Sequence, residues 1–165
     1  MNLHTVNLFW SAVKPVHGLA IAVTSSSTPD YVSMKNWRKC AVVIKILNGS
    51  TVTGSAITLK QATAVAGTSE KALAFTKMYQ NIDCAAADAL AEVAVVSNTF
   101  TTDTTNSKML MYVIDVDVAS LDRANGFDCI RAGAGNSANT LTIDITYYLY
   151  GGRYMLNPPP AAITD

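Results

Sequence analysis

Charge is scarce in this chain: Asp, Glu, Lys and Arg supply 15% of its 165 residues, while half of the residues are hydrophobic. The 12 basic and 12 acidic groups cancel to a formal net charge of zero. A nucleic-acid binder needs a basic footprint to displace counterions from phosphates, and this composition does not supply one. Attachment to an anionic membrane through a polybasic patch is excluded on the same ground. The apolar run from Gly18 to Val23 falls far short of the roughly 20 residues that span a bilayer. Segment 1–17 carries no early Lys or Arg of the kind that opens a secretory leader, which predicts synthesis in the cytoplasm. Cys40, Cys84 and Cys129 are odd in number, far apart and form no CxxC pair. A chain of this size has no need of disulfide staples, so Cys40 and Cys129, beside apolar strand residues, read as buried thiols.

Groups that do chemistry are equally sparse. His4 and His17 are the only histidines, and no GxSxG elbow presents a serine to either. Gly133-Ala134-Gly135-Asn136 lacks the Lys-Ser/Thr of a phosphate loop and reads as a β-turn between strands. Asp115 and Asp117 share one strand face about 7 Å apart, a spacing open to glycoside hydrolysis or a divalent cation if Asp144 stood on a neighbouring strand. Solvent-facing strand residues account for the pair more simply. Asn48-Gly49-Ser50 matches a glycosylation acceptor but also a tight turn, and the turn is the better reading. The expectation is a protein that is not an enzyme and uses no cofactor or metal.

Strand and turn signals, by contrast, are dense. Gly18 to Thr24, Cys40 to Leu47, Thr51 to Lys60, Leu73 to Tyr79, Met109 to Val118 and Thr140 to Tyr150 all read as strands. The last alternates most clearly, with Leu141, Ile143, Ile145 and Tyr147 on one face. Asn48-Gly49 predicts a type I′ turn that pairs Cys40–Leu47 with Thr51–Lys60 as a hairpin. Ala119 to Ala124, stopped by Asn125-Gly126, reads as one short helix. Cys84 to Val96 starts with helix formers and ends with strand formers, and stays ambiguous. Strands separated by turn clusters predict an all-β, antiparallel β-sandwich or jelly roll with extended termini. The sandwich domain spans residues 1–152, of which 1–30 could form an N-terminal arm.

Residues 153–165 form the one compositional break. Three consecutive prolines cannot donate to a ladder, so this segment should leave the domain as an extended arm. Arg153, Tyr154, Met155, Leu156, Pro158, Pro159, Pro160 and Ile163 are its candidate partner-binding residues, because a stiff apolar spacer loses little entropy on docking. Trp10, Trp37, Tyr147, Tyr148, Tyr150 and Tyr154 could stack on a carbohydrate, although core or subunit interface is the commoner use of such rings. So little charge on so large a surface also suggests that a partner covers part of it.

The pieces SMKNWRKC, TGSAITLKQATAVAGT, KALAFTKMY, SNTFTTDTTN, ASLDRANGFDCIR and GGRYMLNPPPAAITD resemble a family of tailed-bacteriophage virion structural proteins. The resemblance runs from about Tyr31 to Asp165. It implies a small β-rich protein of the capsid surface, of the decoration or cement type, whose partner is the major capsid protein. It also implies a homo-oligomer, with a trimer favoured. A head-tail connector, tail or host-adhesion protein of the virion is the alternative.

Overall fold

The computed structural model describes residues 12–23, 28–137, 141–153 and 161–163. Among them the chain is all-β. It forms strands β1 (Val13–Val23), β2 (Val32–Ser33), β3 (Lys39–Asn48), β4 (Ala56–Ala62), β5 (Lys71–Ala72) and β6 (Phe75–Asn81). These are followed by β7 (Ala91–Ser97), β8 (Thr99–Thr101), β9 (Met109–Asp117), β10 (Cys129–Ala134) and β11 (Leu141–Tyr150). Two antiparallel sheets pack face to face. The larger has the order β1-β11-β3-β9-β6-β7, and the smaller β2-β10-β4-β5 with β8 also on β4.

The core follows from period-two alternation. Cys40, Val42, Ile44 and Ile46 of β3, Leu110, Tyr112, Ile114 and Val116 of β9, and Leu141, Ile143, Ile145, Tyr147 and Leu149 of β11 are all buried. They meet Ile57 and Leu59 of β4 and Ile130, Ala132 and Ala134 of β10 in one apolar cluster. Tyr147 also links the sheets through a hydrogen bond, its Oη accepting from the Ala132 N–H at 2.7 Å. Its ring fills the space at Gly18, where a Cβ would stand 2.5 Å from Cε2. The β1–β11 register shifts between His17 and Leu19, on either side of that glycine.

Three sequence expectations are corrected. The β3–β4 hairpin does not form: β3 lies between β11 and β9 in the large sheet, while β4 pairs β10, β5 and β8 in the small one. Asn48 and Gly49 lack the positive φ that a type I′ turn requires. Instead Asn48 is buried, and its Nδ2 donates to the carbonyls of Asp103 (3.0 Å) and Thr105 (2.8 Å). Residues 49–55 then cross between sheets, held where the Val52 N–H donates to Asn106 Oδ1 and the Ser55 hydroxyl to the Gly135 carbonyl. Gly133 and Ala134 belong to β10, and the Gly135 N–H continues its bonding by donating to the Ala56 carbonyl, so no turn falls there. The short helix is replaced by two 3₁₀ turns, Val118–Ser120 and Arg123–Asn125. Asp117 Oδ1 accepts from the Ala119 N–H to start the first, and the run is too short to nucleate an α-helix.

The ambiguous stretch resolves as turns followed by β7. Near the other end of the chain, the Ser33 N–H donates to the Ala162 carbonyl at 2.6 Å, and Ala162 is buried in the core cluster. Residues 161–163 therefore lie against the β2 edge of their own domain.

Candidate functional site

The strands that bury one face in the core turn the other outward, and on the large sheet that outer face is unevenly polar. Leu47 of β3 stands opposite Met109 of β9, and Lys45 opposite Met111. Leu47 and Met109, at the ends of two central strands, are each more than half exposed (53% and 55%), unusual for large apolar side chains. With Met111, Cys84, Thr142 and the stem of Lys45 they line a shallow groove of about 230 Å³. Ile82, also exposed, precedes Cys84, whose N–H donates to the Met109 carbonyl and so fixes this loop at the groove's side.

Charges at the rim are matched within the chain. Asp144 of β11 accepts a hydrogen bond from His17 at 3.0 Å and pairs with Lys45 at 2.9 Å. Burial pushes the Asp144 carboxyl up, but the Lys45 and His17 contacts overcome it and leave the group below its usual range. Asp83 pairs with Lys108 in the same way, and that contact holds its carboxyl low. The surface left available is thus apolar and close to neutral, suited to covering by another protein surface and poorly suited to binding an ion.

A second polar cluster lies on the outer face of the small sheet. Glu70 accepts from Tyr31 Oη (2.8 Å), from Arg131 (3.0 Å) and from Lys60. The Arg131 guanidinium sits 4.5 Å from the centre of the Tyr31 ring. Lys60 and then Tyr31 hold the Glu70 carboxyl below its usual range, while burial drives the Tyr31 phenol well above its own. These contacts tie Tyr31 and the loop before β5 to β4 and β10, which is a fastening role.

The residues singled out from sequence fall as follows. Asp115 and Asp117 are exposed on β9, and Asp117 is engaged in capping the first 3₁₀ turn. Asp144 does not join them. It stands opposite Lys45 of β3, whereas Asp115 stands opposite Ala41, four residues along and on the other side of that strand. Among the described residues no three His, Cys, Asp or Glu side chains gather as metal ligands would. His17 is spent on Asp144, and His4 lies outside the described residues. Cys40 and Cys129 are buried free thiols, and Cys84 is half-buried. Trp37 and Tyr147 are core residues, and Tyr148 and Tyr150 are half-buried on the outer face. Trp10 lies outside the described residues. Of the candidate arm residues, Arg153 and Ile163 are exposed, and Tyr154, Met155, Leu156, Pro158, Pro159 and Pro160 lie outside the described residues.

The Leu47–Met109 pair was missed in sequence, although alternation contained the signal. If Val42, Ile44 and Ile46 face in, Leu47 must face out, and the same parity in Met109 to Asp117 turns Met109 and Met111 outward.

No protein-family model matches the chain, and neither does any curated protein. Among solved structures, the crystal structure of the SPBc2 prophage-derived protein YomS aligns over 83% of this chain and 91% of that one. The two are 14% identical over the alignment, with a TM-score of 0.46.

Proposed function

We propose that this chain is a structural protein of the tailed-phage virion, a decoration or cement protein that binds the shell of major capsid protein and stabilises the head. On this reading it works as a homo-oligomer, has no catalytic role and acts on the outer surface of the capsid. The sequence resemblance over Tyr31 to Asp165 motivates the reading. The observation that carries it is the exposed Leu47–Met109 groove with its internally matched rim, an apolar surface that gains by being covered. Arg153 and Ile163 would add contacts from the tail, close to the edge of β2. Repetition on a symmetric shell converts a modest contact of this kind into firm attachment.

The test uses assembled heads and the purified full chain. Wild-type protein is expected to co-sediment with heads and raise their melting temperature. The double variant Leu47→Asp/Met109→Asp, altered only at exposed positions, is expected to stay folded and lose at least about tenfold in affinity, as removal of central apolar contacts does. Failure of the wild type to bind heads, together with its recovery on tails, would sink the proposal.

A further inference from the structure

Each sheet has two edges, and three of the four are covered, broken or guarded over at least part of their length. The β2 edge accepts residues 161–163, through the Ser33 and Ala162 backbone bond. The edge opposite it is broken into the short strands β5 and β8, of two and three residues. At the outer edge of the large sheet, the first half of β1 carries Lys14, Pro15 and His17; a proline has no N–H to offer an added strand, and charge repels one.

The fourth edge is β7, with the sequence AEVAVVS, and among the described residues it pairs only with β6. It holds no proline, glycine, lysine or arginine. A register shift sets Val95 and Val96 against Thr76, so a bulge interrupts its second half, but Ala91 to Ala94 remain regular. Val96 is fully exposed, and Leu90, just before the strand, is 44% exposed. Val93 and Val95 pack only partly against the core. This is the type of edge that natural proteins blunt unless it is occupied.

We propose that β7 is the edge through which two copies of this chain join, antiparallel and about a two-fold axis, into one continuous sheet. A second copy matches this edge both in charge and in the side to which each residue faces. The strand's single ionised group, Glu92, is already matched by Lys77 at 3.1 Å, so the edge does not repel itself. Antiparallel pairing keeps each face on its own side. Val93 and Val95 then meet the partner's inner residues and extend the apolar layer across the junction. Because a two-fold axis uses the same β7 edge in both copies, the pairing closes at two copies and does not run on as a fibre. The inference stands apart from the capsid reading, and a dimer departs from the trimer that the family resemblance implies.

Sedimentation and amide hydrogen exchange of the full chain over a concentration series test it. A reversible monomer–dimer equilibrium is expected, with β7 amides gaining protection as dimer forms. Glu92, Ala94 and Val96 all lie on the exposed face, so Ala94→Glu/Val96→Glu makes that face wholly acidic. Every two-fold register then sets like charges opposite each other, and dimerisation should weaken by roughly tenfold or more. The basic counterpart, Glu92→Lys/Ala94→Lys/Val96→Lys, should also be monomeric. An equimolar mixture of the two should restore a dimer, which in addition shows that both variants are folded. A wild-type chain that stays monomeric up to its solubility limit overturns the proposal. So does a trimer, or a dimer indifferent to both charge variants.

Discussion

Asn48 shows how one amide can redirect a chain. Its two N–H donors go to the carbonyls of Asp103 and Thr105, which fixes the end of β3 against the loop before β9. Its Oδ1 is buried without a hydrogen-bond partner among the described residues, so the site is tuned to the donors. Asn48→Ala leaves two carbonyls without that donor and should cost about 1–3 kcal/mol in urea unfolding. Asn48→Asp should be worse at neutral pH, because a carboxylate cannot donate and would face two carbonyl oxygens; equal loss in the two variants would contradict this account. Such a role was not legible in the sequence. Asn-Gly is a strong local turn signal, and the groups that outcompete it lie more than 50 residues further along the chain.

At the level of strands, legibility divides between existence and pairing. The strands β3, β9 and β11 were readable because a half-buried strand must alternate, and their alternating residues fill the core. Their neighbours were not readable, because alternation specifies which face is buried and says nothing about which strand lies alongside. β6 marks the limit: Phe75 and Met78, three residues apart, both pack against the core, so simple alternation fails there. The sheets are tied together at Tyr147, whose oxygen accepts from the Ala132 N–H of the opposite sheet. Tyr147→Phe keeps the ring and removes that acceptor, leaving a buried N–H unpaired. We expect a loss of about 1–3 kcal/mol, read from the urea midpoint. The neighbouring Tyr148→Phe, on the outer face, should be close to neutral.

Over the whole molecule, surface charges work as fasteners. Lys60 and Tyr31 hold the Glu70 carboxyl low, Lys108 does so for Asp83, and Lys71 and Asn125 for Asp122. At Asp144 burial opposes the shift, but Lys45 and His17 prevail. Each folded-state pKa lies below its unfolded value. The stabilisation is therefore complete above the ordinary carboxyl range and is lost as pH falls through the folded values. Stability should be level across neutral pH and decline below about pH 4, with Glu70→Gln and Asp144→Asn each flattening the decline. Because these groups are partly exposed, each effect should be small and should shrink further in high salt. The position of β3, between β9 and β11, has a further consequence in time. β3 ends at Asn48, yet β9 begins only at Met109 and β11 at Leu141, so a ribosome has finished β3 long before either flanking strand exists. The central strand must wait with its apolar face uncovered, and folding of the complete chain should be slow, in the range of milliseconds to seconds typical of sandwiches built from distant pairings.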